Sequence, residues 1–356
     1  MKNLFKKKDN DNNNKSIDGS KYRASVTFQI IMMCIFVVFL LWIFYKPAIR
    51  FKTYDEYPAI SSTTPQQLIK IGGSPAYVDV GLYVRDISKF DIIGGEAIAD
   101  ITVWFFFDPN LISIKSIEKF TFDRAKIIYK SKPFSQITKE KLLVRYDMNV
   151  AFSLKLNYES FPLDDHRINF TLTNYFISLS EVVFKSSRIN LTLNSKLKLA
   201  GWKHVYSNVK TGYLRDELDP YHEAGMKHNP RVIFSFDFAR VGFRHSTVII
   251  MPLLLILILA LFTWTFDPFA ERGLPISITS ISAVIMQNFV IERMSPKTGY
   301  FMISNYIFLL ILICCCIVFL INILGKKIKG FYKNIFAFMI YATLVIFIVS
   351  FLKPLF

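Results

Sequence analysis

The chain has 356 residues, 52% of them hydrophobic and 35 of them phenylalanine, a composition that excludes an ordinary soluble protein and reads as a membrane protein carrying a soluble part. Its 43 Lys and Arg against 27 Asp and Glu give a net charge of +16. The lysines concentrate at the amino terminus and in the stretch GKKIKGFYKN, both beside apolar runs, where they act as topology signals; no nucleic-acid partner is expected. All four cysteines, Cys34 and Cys314 to Cys316, lie in apolar runs, which excludes a disulfide framework or a cysteine zinc site in the polar region.

In chain order, residues 1–24 are rich in Lys, Asn and Asp without apolar periodicity and read as a basic, disordered cytoplasmic tail. Residues 25–46 follow as an N-terminal transmembrane anchor or a signal segment. The long apolar core and the poor cleavage context at Lys46-Pro47-Ala48 favour an uncleaved anchor. Residues 50–245 form the exported region. Strand signals are dense there, at 76–87, 96–107, 141–156, 166–175, 180–186 and 231–240, many with strict alternation such as Val78, Val80, Leu82 and Val84. Strands with no helical pattern between them predict an antiparallel β-sandwich.

Residues 246–356 carry four apolar runs, at 246–266, 274–291, 301–324 and 335–352, predicting a four-helix transmembrane bundle. The second run is the most polar, with Ser277, Thr279, Ser280, Ser282, Gln287 and Asn288. Such residues suit a helix packed among others or lining water, or small-residue packing between helices. The lysines at 326, 327, 329 and 333 fall inside, and the sandwich falls outside, consistent with a multi-pass membrane protein whose β domain is exported.

A group of motifs gives the chain a resemblance. Arg240, Pro252, Trp264, Glu271-Arg272 and Pro296-Lys297-Thr298-Gly299-Tyr300 occur in order around the second run. The segment YVDVGLYVRDISKFD is followed by ADITVWFFFDPNL, and NYESFPLDDHRINFTL lies further on. Together these resemble the pentameric ligand-gated ion channels, the superfamily of the Cys-loop receptors, and in lacking the loop cysteines and a long intracellular loop they resemble its bacterial members. The resemblance implies a homopentamer in membrane lipid, a pore lined by the 274–291 helix, permeant ions and an unidentified small ligand bound at the sandwich, with no cofactor. It also implies coupling residues where the sandwich meets the membrane: Asp91, Phe161, Pro162, Asp164, Arg240, Pro296 and Lys297. A buried Arg240 requires a carboxylate, from Asp164 or Asp91.

Two pore registers are open. One puts Pro275, Thr279, Ser282, Met286 and Phe289 on the lumen face; the other puts Leu274, Ile278, Ile281, Ile285 and Asn288 there, as a hydrophobic gate. A ring of Glu271 at the inner mouth favours cations. For the ligand, Trp104, Tyr175, Tyr221, His222 and Glu223 are the candidates; the run RDELDPYHEAGMKHN is a divalent-ion or proton sensor, or simply a solvated loop. His222-Glu223 with His228 lacks the zinc-protease spacing, and no glycine phosphate loop or nucleophile elbow occurs, so neither enzyme activity nor a metal site is expected. The alternative to a channel is a non-conducting membrane-anchored sensor or envelope scaffold of the same fold.

Overall fold

The computed structural model describes residues 27–28, 30–36, 38–39, 51–64, 66, 68–69, 74–138, 140–216, 227–241, 244–263, 273–324 and 330–352. The chain divides into two units. One is Phe51–Asn157 with Asp164–Val241; the other is Met1–Arg50, Tyr158–Leu163 and Gly242–Phe356.

The first unit is a two-sheet β structure. Its strands are β1 (Ala76–Asp91), β2 (Glu96–Phe107), β3 (Thr121–Phe122), β4 (Ala125–Lys130), β5 (Phe134–Thr138), β6 (Lys141–Ser153), β7 (His166–Thr173), β8 (Val182–Lys185), β9 (Leu191–Leu193), β10 (Trp202–Asp216) and β11 (Lys227–Arg240), with a one-turn helix α1 (Ile114–Ile117). The larger sheet runs β4-β6-β2-β1-β8, with β5 on β6 and β9 on β1; the smaller runs β10-β11-β7-β3. The period-2 pattern buries one face of each sheet. Val78, Val80, Leu82 and Val84 of β1 meet Phe105, Tyr146 and Phe152 of its neighbours and Ile168, Phe170, Phe234 and Phe236 of the other sheet in one core.

The expected all-antiparallel sandwich needs correction. β1 pairs β2 antiparallel but pairs β8 and β9 in parallel, through Ala76–Asp79 with Val182–Lys185 and Leu82–Val84 with Leu191–Leu193. The larger sheet is mixed, because the chain returns to the same edge of β1 in the direction of β1 itself.

The second unit contains α2 (Arg244–Phe262), α3 (Gly273–Met294), α4 (Ile303–Leu324) and α5 (Gly330–Leu352). Here too the expectation is overturned. Among the described residues only α3 and α4 are long and apolar enough to cross a membrane. The apolar part of α2, Ser246–Phe262, is shorter, spanning about 25 Å at 1.5 Å per residue against a hydrocarbon core of about 30 Å. The structure thus gives two candidate spans in place of a four-helix transmembrane bundle. Helical fragments occur between Thr27 and Phe39, where Phe36 packs on Tyr341 at 5.1 Å between ring centroids, but no span qualifies there among the described residues; most of the expected anchor, with the 1–24 tail, lies outside them.

Within this unit a proline and a glutamine are matched. Pro252 sits inside α2 and has no N–H to give the carbonyl one turn before it. Gln287 of α3 supplies the missing donor, its Nε2 reaching Val248 O at 3.1 Å. Asn322 of α4 similarly donates to Thr263 Oγ1 at 2.9 Å and Ser277 Oγ at 2.6 Å.

Candidate functional site

Two arrangements stand out, one in each unit. In the β unit, β7 begins with a histidine on its inward phase: His166, Ile168, Phe170 and Leu172 alternate with the outward Arg167, Asn169, Thr171 and Thr173. His166 is fully buried. Its Nε2 lies 2.7 Å from Asp164 Oδ2 and its Nδ1 lies 3.0 Å from Asp55 Oδ2. Asp164 Oδ1 in turn accepts from Arg240 Nη2 at 2.9 Å. The guanidinium lies over the Trp202 ring, 4.4 Å from its centroid, and Trp202 also touches His166 and Phe90.

The result is a buried row of alternating charge, Asp55, His166, Asp164 and Arg240. Burial alone would push the imidazole down, but bonds to Asp164 and Asp55 overcome it and hold His166 up at about 9. Burial pushes the Asp164 carboxyl up, yet His166 and Arg240 outweigh it and the net shift is downward. Neighbouring Asp165, with no cation bonded to its side chain among the described contacts, is raised by burial despite accepting from the backbone N–H groups of Lys52 and Arg240.

Asp55 belongs to a segment, 51–61, that follows the outward polar face of the smaller sheet. That face is a ladder of directly opposed polar pairs: Arg167 with Asp237, Asn169 with Ser235 and Thr173 with Arg231. Arg167 grips Asp237 with two bonds, at 2.6 and 2.9 Å, and Arg231 bonds Asp123 and Thr173. The segment caps these pairs. Asp55 Oδ2 accepts from Arg167 N at 2.8 Å, the Tyr57 ring lies 4.3 Å from the Arg167 guanidinium, and Ala59 O accepts from Arg231 Nη1 at 2.8 Å. Ser61 then bridges Tyr213 of β10. Outward-facing Asp237 and Arg231 are consequently buried.

In the helical unit, α3 buries one stripe, Ser277, Ser280, Val284 and Ile291. At about 100° per residue, Pro275, Ser282, Met286 and Phe289 lie opposite that stripe, with Thr279 beside them, and all five are exposed. Leu274, Ile278 and Ile285 are exposed as well, but Ile281 and Asn288 are half-buried, so the second register sits on the flank of the open face. Arg293 continues the first set by the same spacing and is exposed. The hydroxyls of Thr279 and Ser282 donate to their own helix, to Pro275 O at 2.9 Å and Ile278 O at 3.1 Å, which leaves oxygen lone pairs for the open side.

The remaining sequence candidates scatter. Of the two carboxylates weighed for Arg240, Asp164 is the one it meets; Asp91 instead accepts from Gly94 N at 2.8 Å in the β1–β2 turn. Phe161 and Pro162 belong to the helical unit, where Ser304 N donates to Phe161 O at 3.2 Å and Ser246 Oγ to Pro162 O at 3.3 Å. Pro296 is buried and Lys297 exposed. Trp104 lies on β2, its indole over Gly81, whereas Tyr175 follows β7 of the other sheet and donates to Asp123 Oδ1 at 3.1 Å, so the two share no sheet. Glu271, Tyr221, His222 and Glu223 lie outside the described residues. Sequence reasoning missed Asp55, His166 and Trp202. The alternation of His166 with Ile168 and Phe170 was the available signal for a buried histidine; nothing in the sequence marks Asp55.

Compared with known proteins, the chain matches no family model and no curated protein.

Proposed function

We propose that the chain is the subunit of a homopentameric, ligand-gated cation channel of the type it resembles, set in a bacterial inner membrane with the β unit on the outer face. The observation that carries this reading is the open face of α3. A helix apolar enough to cross a membrane leaves Pro275, Thr279, Ser282, Met286 and Phe289 uncovered opposite its buried stripe. Two hydroxyls facing lipid gain nothing there, whereas the same face turned to a water-filled axis is hydrated. Met286 and Phe289 would form the constriction, and the first register is the pore register.

Cation preference rests on the ring of Glu271 that the resemblance implies at the inner mouth, with Arg293 exposed toward the other end of α3. The Asp164–Arg240 pair supports the gating part of the reading. Its two members lie at places where the chain passes from one unit to the other, Leu163 to Asp164 and Val241 to Gly242.

The test is cysteine accessibility combined with subunit counting. Single cysteines at Ser282, Ile281 and Val284 are introduced into protein reconstituted in lipid, the subunit number is fixed by native mass measurement, and currents are followed while a water-soluble thiol reagent is applied. A pentamer whose current is blocked through Ser282→Cys but not Val284→Cys supports the reading. A silent monomer or dimer defeats it and favours the sensor or scaffold.

A further inference from the structure

We propose that Asp55 is a positioning residue for the Asp164–Arg240 pair, acting through a doubly protonated His166 that releases the pair when it loses a proton. The inference rests on the channel reading above and adds to it the residues that hold its gating pair in place.

The geometry starts from hydrogen-bond stoichiometry. Both imidazole nitrogens lie within bonding distance of carboxylate oxygens, 3.0 Å from Asp55 and 2.7 Å from Asp164. An ionised carboxylate only accepts, so both nitrogens must donate and the ring must be cationic. A neutral imidazole can donate to only one of the two. Its other nitrogen then presents a lone pair to a buried carboxylate, and the row is left with two anions and one cation.

Among the described residues, the charged groups facing the imidazole include Asp55 from the 51–61 segment, Asp164 and Asp165 from the residues before β7, and, beyond Asp164, Arg240 from β11. Arg167, next on β7, turns to the opposite face and pairs with Asp237. Of the two anions, Asp55 is the better anchored. It also accepts from Arg167 N, from Thr53 Oγ1 at 3.0 Å and from Asn157 N at 2.5 Å. The consequence falls on Asp164, and through it on Arg240.

The reason this matters for positioning is where the cluster lies along the chain. The chain passes between units after Arg50, Asn157, Leu163 and Val241. Lys52 N bonds Asp165, Asn157 N bonds Asp55, Asp164 bonds His166, and Arg240 bonds both Asp164 and Asp165. Every passage is therefore tied, within a few residues, to one hydrogen-bonded group whose centre is His166.

The experiment uses the full-length protein labelled with carbon-13 on its 5 histidines, titrated by NMR in lipid nanodiscs, with bilayer currents recorded in parallel. One histidine resonance is expected to titrate alkaline of the others, to be absent in His166→Gln, and to move down by about one pH unit or more in Asp55→Asn. Open probability should change over that alkaline range in the wild type and stay flat in His166→Gln. A wild-type spectrum with no alkaline-titrating histidine overturns the inference whether or not the variants fold. So does a conducting channel whose pH profile is the same with and without His166, and that result leaves the channel standing. A protein that conducts nothing instead removes the channel, and this role with it.

Discussion

Replacing Gln287 with Leu removes the only donor described for Val248 O, which Pro252 has already cut off from its own helix. On the channel reading this part of the surface is covered by lipid or by another subunit, where no water substitutes for it. An orphaned buried acceptor costs about 1–3 kcal/mol, and interhelical hydrogen bonds measured in membranes average about 0.6 kcal/mol. Gln287 is half-buried, so the expected loss is near the low end, about 1 kcal/mol. A second substitution isolates the cause. Pro252→Ala restores an N–H that can reach Val248 O within α2, and in that background Gln287→Leu should cost less, with a coupling energy of about 0.5 kcal/mol or more. The assay is reversible unfolding of the full-length protein in mixed micelles as the fraction of denaturing detergent rises, followed by helical circular dichroism. Equal costs of Gln287→Leu in the wild type and in the Pro252→Ala background would refute the pairing.

Three further outcomes are expected. Gly81→Ala should destabilise the β unit by about 1–3 kcal/mol, because the new Cβ would lie 2.0 Å from Trp104 Cε2; an unchanged unfolding midpoint would mean that the indole moves freely. Asn322→Leu should lower the thermal midpoint of the detergent-solubilised protein, at a cost of about 1 kcal/mol, since Thr263 and Ser277 lose a shared donor, and an unaltered midpoint would remove Asn322 from that role. His166, held up at about 9, stabilises the fold fully below its ordinary value and loses that contribution as pH rises through about 9, whereas the lowered Asp164 loses its own as pH falls through its folded value. Stability should therefore decline toward both alkaline and acidic pH, and the alkaline decline should vanish in His166→Gln.

Strands that alternate strictly were legible in the sequence. The window 96–107 is β2, and 274–291 lies inside α3. The long strand β10 was not legible, because Trp202–Asp216 is an edge strand with Lys, His, Tyr and Asn on both faces and little inward run. Periodicity also says which face a strand buries but not the direction of its partner, so the parallel pairing of β1 with β8 and β9 was invisible. The run 246–266 looked like a span by composition, but its described helix ends at Phe262. Arg240 with Asp164 could be anticipated because a buried guanidinium demands an anion. Asp55 could not, since it lies 111 residues from His166 in a segment without periodicity, held mainly by backbone groups and single side-chain bonds.

The serines of α3 illustrate why residue type alone leaves the proposed pore face open. Ser277 and Ser282 are chemically identical and both donate to the carbonyl one turn back. Ser277 nevertheless has a second partner, Asn322, and is fully buried, while Ser282 lies opposite the buried stripe and is exposed. A buried hydroxyl can meet a polar group on a neighbouring helix, as Ser277 does, or bond only its own helix among the described contacts, as Ser280 does through Ile276 O at 2.8 Å. Helical spacing lists Ser277 and Ser282 alike as candidates, and the side on which Asn322 arrives separates them. The same reasoning separates Gln287, whose amide is spent on Val248 O, from Thr279, whose oxygen retains a free lone pair on the open side. It is this partition of polar groups, rather than their number, that makes the face of Pro275, Thr279, Ser282, Met286 and Phe289 the one to test for contact with permeating ions.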